Sequence, residues 1–389
     1  MPYAVNAAIA RIEAPPIAEA MTWVKPTPGN RALLNLCQAV PSYPPAEALQ
    51  EEVARAAREP ETSLYTDILG IAKLRAVLAC HMAEDYAGTV DSGNVAITAG
   101  CNQAYCVALM TLAKAGDNIV LPVPYYFNHH MWLEMLGIEA RLVPGLTAKG
   151  PWPDAAAAAA VIDHRTRAIL LCSPNNPTGS IYPPEVIGAF YDLAKASGIA
   201  LIIDETYKDF RPTPAPLHDL FARPNWQDTF IQLYSFSKIF AMTGYRAGSM
   251  IAGPEFLAEA EKVLDCVAIC TPHISQRAAL FGLGHLDGWK NEKKAMMLAR
   301  GQALRAAFEQ PGLNYRLISS GAYFAYVKHP FGGVAARQVA KRLAGEHDLL
   351  CLPGSMFGPG QEDFLRIAFA NAEAGAMPLV AERLIESQR

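Results

Sequence analysis

Lys238 lies in the run Ser235-Phe236-Ser237-Lys238-Ile239-Phe240-Ala241-Met242-Thr243-Gly244-Tyr245-Arg246, and its neighbours are those that an imine-forming lysine needs. A lysine adds to a carbonyl carbon only as the free amine, so it must sit where its positive charge is disfavoured or already committed. Ser235 and Ser237 offer hydroxyl donors, and Arg246 a fixed positive charge, to an anionic group such as a phosphate. A Ser-x-Ser-Lys string also fits a solvated lysine at a helix start, so the run takes its meaning from the rest of the chain.

Two further candidates end apolar strands. Ala168-Ile169-Leu170-Leu171-Cys172 reads as a buried strand and runs into Ser173-Pro174-Asn175-Asn176-Pro177-Thr178-Gly179. There the Asn176 amide can donate to an acceptor oxygen or simply shape a Pro-Asn turn. Ile199-Ala200-Leu201-Ile202-Ile203 runs into Asp204-Glu205-Thr206-Tyr207. A carboxylate at the end of a wholly apolar strand is costly to bury without a cation or protonated nitrogen, so Asp204 needs a partner unless it caps a following helix. Tyr207 can turn its phenol towards the same place. Arg366, in Phe364-Leu365-Arg366-Ile367-Ala368-Phe369-Ala370-Asn371, interrupts an alternating apolar strand. Its planar fork matches a carboxylate in paired hydrogen bonds, the alternative being an arginine on a half-exposed strand face.

The elements that must position these residues alternate. From about Val95 to Gly253 strands and helices succeed one another, the pattern of a largely parallel sheet with helices on both faces. Each candidate in that span follows a strand, where open α/β sheets place their ligands. Asn94 to Thr98 reads as a strand, Ala99-Gly100 as a turn and Cys101 to Tyr105 as the start of an apolar helix, whose free N–H groups face an anion favourably. Asn118 to Leu121 is another strand, ending in Pro122-Val123-Pro124-Tyr125-Tyr126. Ala46 to Arg58 and Ile71 to Tyr86 are helical, and the alanine run 155–160 suits a short surface helix. After a helix near Lys290 to Gln310, the strand Tyr323 to Val327, a helix near Val334 to Ala344 and the strand Phe364 to Ala370 form a compact α+β unit.

Asn-Pro-Thr-Gly at 176–179, Asp-x-x-Tyr at 204–207 and Ser-x-Ser-Lys-x7-Arg at 235–246, in this order and spacing, resemble the class I/II aminotransferase family of fold-type I pyridoxal-phosphate enzymes, the aspartate aminotransferase-like group. The resemblance covers nearly the whole chain. It implies an α/β fold: a three-layer, mostly parallel large domain over residues 46–284 that binds pyridoxal 5'-phosphate, and a small α+β domain from residues 1–45 and 285–389. It also implies roles. Lys238 forms the internal aldimine and moves the proton between substrate Cα and cofactor C4′. Asp204 pairs with the pyridine nitrogen, Asn176 and Tyr207 donate to the ring oxygen O3′, and Tyr126 stacks on the ring. Cys101, Asn102, Ser235, Ser237 and Arg246 hold the phosphate. Tyr65, in Tyr65-Thr66-Asp67-Ile68-Leu69-Gly70, reaches the phosphate of a neighbouring subunit, which implies a homodimer. Arg366 clamps the substrate α-carboxylate, with Asn176 and Ala39 also against the substrate; the family commonly has glycine where Ala39 stands.

The activity implied is transfer of an amino group from an amino acid to a 2-oxo acid by ping-pong chemistry through a pyridoxamine form. The same residues would serve β-elimination or another reaction at Cα, or persist in a catalytically idle binding relative. The second arginine used by dicarboxylate-specific members has no identifiable counterpart. Tyr43, Phe127, His129 and Tyr323 either line a pocket for a neutral or aromatic side chain or belong to the core.

Composition excludes several other classes. The 33 basic residues are outnumbered by 37 acidic ones, leaving no basic stripe for nucleic acid. No apolar run reaches the ~18 residues that would span a bilayer, so no membrane partner is expected. Eight cysteines without a Cys-x-x-Cys pair read as small buried hydrophobes in a reducing cytoplasm. Nine histidines lack metal-ligand spacing, and the adjacent His129 and His130 diverge, so no metal is expected. The start Met1-Pro2-Tyr3-Ala4-Val5 lacks a basic region followed by an apolar core, so no secretory signal is expected and the cytoplasm is the expected location.

Overall fold

Leu201, Ile202 and Ile203 are all fully buried because the strand that carries them is covered on both faces: Leu201 and Ile203 pack into one layer of core and Ile202 into the other. The computed structural model describes residues 3–25 and 31–389; residues 1–2 and 26–30 of the expected small domain lie outside the described residues. In chain order the strands are β1 (Leu34–Asn35), β2 (Val95–Thr98), β3 (Asn118–Val123), β4 (Glu139–Pro144), β5 (Thr166–Cys172), β6 (Ala200–Asp204), β7 (Phe230–Ser235), β8 (Gly248–Ile251), β9 (Arg316–Gly321), β10 (Phe324–Lys328), β11 (Leu349–Leu350), β12 (Leu352–Pro353) and β13 (Phe364–Ile367).

A seven-stranded sheet has the order β2-β8-β7-β6-β5-β3-β4. One face is covered by helices Ala72–Tyr86 and Pro184–Ser197, through Leu74, Leu78, Met82, Ile187 and Phe190. The other is covered by Cys101–Leu112 and Pro254–Ala268, through Ala104, Val107, Leu257 and Leu264. This is the expected three-layer α/β architecture. The apolar steps of three and four along these helices follow from the helical period.

The direction of the strands places the site. β3, β4, β5, β6 and β7 are mutually parallel, so their C-terminal ends share one edge. β8 runs antiparallel to both β7 and β2, with Gly248 opposite Ser235 on one side and Thr98 on the other. β2 therefore points the same way as β7, and β8 starts where its neighbours finish. Tyr126, Asn176, Asp204, Tyr207, Lys238, Cys101 and Arg246 all flank that one edge.

The second sheet, β12-β13-β10-β9, is antiparallel and puts Arg366 opposite Tyr326 of β10 and Leu352 of β12. β1 pairs in parallel with β11. The strand expected through Ala370 stops at Ile367, because the Ala368 N–H turns to the Leu36 carbonyl at 2.8 Å and a tight turn at Phe369–Asn371 follows. The cysteines also differ from expectation. Cys37, Cys101, Cys172 and Cys351 are buried, but Cys80 and Cys266 are exposed, because both sit on outward faces of the sheet-covering helices, and Cys106 and Cys270 lie between these extremes.

Candidate active site

Lys238 owes its position to a single capped turn. The Ser235 side chain, at the end of β7, accepts from the Ser237 N–H at 3.2 Å and starts the short helix Phe236–Ile239. The Lys238 amine donates to the Ala39 carbonyl, which arrives with the N-terminal segment. Burial pushes the amine down to about 8, and the positive charges of Arg246 and Arg366 push the same way against the weaker pull of Asp204. A free amine is therefore accessible near neutral pH. The Ser237 hydroxyl is buried with no hydrogen-bond partner.

Asp204, the last residue of β6, is buried. Burial alone would raise its carboxyl, but hydrogen bonding and charge from His129, with donors at Thr206, outweigh it and hold the group below the usual carboxylate range. His129 Nε2 is 3.2 Å from Asp204 Oδ2, the Thr206 N–H donates to Oδ1 at 3.0 Å, and the Cys101 thiol donates to Oδ1 at 3.5 Å. Asp204 ties the turn after β6 through the Thr206 N–H and lines the cavity. Cys101 departs from a simple anion contact, since its thiol faces Asp204 while its backbone opens the helix Cys101–Leu112.

Arg366 is buried between the rings of Phe324 and Phe357, each with its centroid 5.0 Å from the guanidinium carbon. Its Nη1 donates to Asn176 Oδ1 at 3.0 Å and its Nη2 to the Cys37 carbonyl, whereas Nε is buried without a partner. Burial pushes this guanidinium down to about 10. Asn176 spends its oxygen on Arg366, which leaves its NH₂ as the free donor. Tyr207 packs against Tyr323 and Phe324, with centroids at 5.3 and 5.1 Å, and Tyr126 stands edge-on to His129 at 5.2 Å.

Close backbone approaches shape the site around Arg246 and the start of the helix Cys101–Leu112. Gly100 has φ of +84°, and a Cβ there would lie 2.3 Å from Arg246 Nη2. A Cβ on Gly248 would lie 2.6 Å from the Cys101 nitrogen. The guanidinium of Arg246 is thereby laid against the start of the helix.

Cys101, Asn102, Tyr126, Asn176, Asp204, Tyr207, Ser235, Ser237, Lys238 and Arg246 all line one cavity of about 160 Å³. Arg366 and Ala39 line an adjoining cavity of about 470 Å³, which shares Tyr126, Asn176, Tyr207 and Lys238 with the first. Tyr65 lines neither and is 76% exposed. Sequence reasoning left His129 open between pocket and core and missed Cys172, Thr206 and Thr243, which complete the first cavity. A signal for His129 was present: it stands three residues after Tyr126, on the same face of the helix start. Among the described residues no group of three or more His, Cys, Asp and Glu side chains could hold a metal ion, and no helix is long and apolar enough to cross a membrane.

The family described as aminotransferase class I and II matches residues 31–384. The aromatic aminotransferase ISS1 of Arabidopsis thaliana is 28% identical over 359 residues, covering 90% of this chain and 88% of its own. The aspartate aminotransferase of Musicola paradisiaca is 30% identical over 319 residues, covering 80% of this chain and 79% of its own. In fold, the crystal structure of the Thermotoga maritima aspartate aminotransferase matches with a TM-score of 0.88 at 24% identity, covering 98% of this chain and 99% of that one. With nearly the whole chain matched and the motif residues gathered at one strand edge, this chain belongs to the class I and II aminotransferase family and is an aminotransferase.

Proposed function

We propose that this aminotransferase binds pyridoxal 5'-phosphate in the smaller cavity and moves an amino group from an amino acid to a 2-oxo acid, with Lys238, Asp204 and Arg366 as its working side chains. The observation that carries this reading is the meeting of a low-pKa amine, a buried carboxylate held ionised and a buried guanidinium around two joined cavities. The donor set fits the cofactor. The unpartnered Ser237 hydroxyl, Ser235, Arg246 and the helix start at Cys101 and Asn102 offer donors to a phosphate. Asp204 offers a carboxylate to a protonated pyridine nitrogen, Tyr126 a ring to stack on, and Asn176 and Tyr207 donors to the ring oxygen.

When bound, pyridoxal phosphate supplies the electron sink for negative charge at the substrate Cα. The protein supplies the rest. Arg366 holds the α-carboxylate through donors it still has free, including the unpartnered Nε. That anchorage fixes Cα beside Lys238, which takes the Cα proton as the free amine and, as the ammonium, would pass it on to the cofactor carbon rather than back to Cα. Asp204, oriented by His129 and Thr206, would keep the cofactor's ring nitrogen protonated, and it is that positive nitrogen that would favour negative charge at Cα. Ala39 offers its carbonyl to the Lys238 amine and so holds it at the mouth shared by the two cavities.

The large domain would comprise residues 46–284 and the small one 1–45 and 285–389. The working unit would be a homodimer in the cytoplasm, in which the exposed Tyr65 reaches the neighbouring subunit's phosphate site. Titration with pyridoxal phosphate should give tight binding and a visible absorption band, and Lys238→Ala should lose the band while retaining phosphate-anchored binding. An unaltered band in Lys238→Ala would refute the assignment of Lys238. Mixing Tyr65→Phe with Lys238→Ala chains tests the shared site: the heterodimer's lysine-bearing site should regain tight cofactor binding, and a heterodimer no better than the Tyr65→Phe homodimer would rule sharing out.

A further inference from the structure

The turn at Phe369–Asn371, which ends the run of β13, grips the N-terminal segment that crosses the site. The side chain of Asn371 holds that segment at both ends of a short loop. Its Oδ1 accepts from the Val40 N–H at 3.2 Å, and its Nδ2 donates to the Asn35 carbonyl at 3.1 Å. Just beyond the turn, Glu373 accepts from the Ser42 hydroxyl at 3.3 Å. The turn is anchored in its own right, because the buried Arg300 of the helix Asp287–Ala307 donates to the Ala370 carbonyl at 2.6 Å and pairs with Glu373.

Between the two ties of Asn371 lies Cys37, whose carbonyl accepts from Arg366 Nη2. Backbone bonds fix the near side of the loop, where the Leu36 N–H meets the Leu350 carbonyl and the Ala368 N–H meets the Leu36 carbonyl, each at 2.8 Å. The far side is held differently. The Ala39 carbonyl accepts from the Lys238 amine, a tie that is released whenever that amine reacts, and the Val40 N–H is shared between the Gln38 carbonyl at 3.0 Å and Asn371. Asn371 is the hold on the far side that does not depend on the state of the lysine.

The place of the Cys37 carbonyl matters because of how Arg366 is seated. The rings of Phe324 and Phe357 set the plane of its guanidinium, whereas rotation within that plane is set by two acceptors, Asn176 Oδ1 on Nη1 and the Cys37 carbonyl on Nη2. A carbonyl that drifts lets the fork swing in its slot, and paired hydrogen bonds to a carboxylate need the fork aligned. We infer that Asn371 is a positioning residue for Arg366, acting through the loop it brackets without lining either cavity. The inference rests on the reading of Arg366 as the α-carboxylate clamp.

The test is a double-mutant cycle on the holoenzyme, using whichever of alanine, phenylalanine and aspartate bleaches the visible band fastest as amino donor. Asn371→Ala, at a half-buried position, should lower kcat/KM by roughly 10-fold, mainly through KM, with the cofactor dissociation constant within about 2-fold of wild type. Beside Arg366→Lys, where the fork is already gone, the same change should cost less than about 3-fold. A loss of less than about 3-fold in the wild-type background, a loss of more than that beside Arg366→Lys, or an equal weakening of cofactor binding overturns the inference. An Arg366→Lys variant as active as wild type overturns the clamp reading instead. Asn371→Asp keeps the acceptor for the Val40 N–H and loses the donor to the Asn35 carbonyl. It serves in the same cycle should Asn371→Ala fold poorly, and equal losses in the two backgrounds again overturn the inference.

Discussion

The amine of Lys238 should titrate in the cofactor-free enzyme near pH 8, against an ordinary lysine value of 10.5. At pH 7 that leaves about 10% of Lys238 as free base, compared with ~0.03% for an ordinary lysine, a gain of roughly 300-fold in the reactive form. The perturbation that tests the cause is Arg246→Met. After burial, the positive charge of Arg246 is the strongest influence depressing the amine, and this side chain is exposed, so its removal should raise the Lys238 pKa and lower its reactivity at pH 7. The assay is the rate at which an amine-directed reagent labels Lys238, read by peptide mapping between pH 6 and about 11 in wild type and variant. A stability effect follows from the same shift. Because the folded-state pKa is lowered, the unfolded chain binds more protons between about pH 8 and 10.5, so stability rises through that window. The cost is present in full below pH 8 and amounts to roughly 3 kcal/mol at most, since the cavity is open to water. A wild-type midpoint at or above pH 10, or an Arg246→Met midpoint below that of wild type, would refute the reasoning.

Other perturbations probe the remaining groups. Arg366→Lys replaces a fork by a point charge and should lower kcat/KM for amino donors by roughly 10²- to 10⁴-fold, the worth of up to two charged hydrogen bonds at ~1.5–3 kcal/mol each, with the cofactor spectrum unchanged. His129→Phe removes a partner that holds Asp204 below the usual carboxylate range, so the acid limb of the kcat profile should move to higher pH; an unmoved limb would show that His129 only packs. The stability gained from the depressed Asp204 pKa, present above about pH 4 and lost as pH falls through the folded-state value, should shrink in the same variant. Gly100→Ala forces a side chain into a positive-φ backbone and against Arg246, and should raise the cofactor dissociation constant at least about 10-fold, measured by equilibrium dialysis.

Much of this site was legible because its residues are tied to local signals. Asp204, Asn176 and Lys238 each follow an apolar strand, and a parallel sheet brings such strand ends to one edge. The antiparallel β8 was not legible, because its apolar run reads the same in either direction; yet β8 delivers Arg246 to the cavity. His129 was ambiguous for a different reason. A histidine on a helix is a packing residue or a polar partner depending on what faces it, and the facing Asp204 lies 75 positions away in sequence. The exposed Cys80 and Cys266 show the limit of reading burial from residue type, since an amphipathic helix puts some small residues outward. Arg366 was recognisable as an intruder in an apolar strand, but its contacts with Cys37 and Asn176 arise only when the C-terminal sheet docks on the strand edge.

The most direct test is a single half-reaction. The holoenzyme is mixed with one amino donor and no acceptor, and the cofactor spectrum and released 2-oxo acid are followed together. One equivalent of 2-oxo acid per active site should appear as the visible band is lost, and adding a 2-oxo acid should restore the band; Lys238→Ala should do neither at a measurable rate. Release of ammonia in place of a reversible band change, or normal turnover by Lys238→Ala, would contradict an amino transfer carried by this lysine.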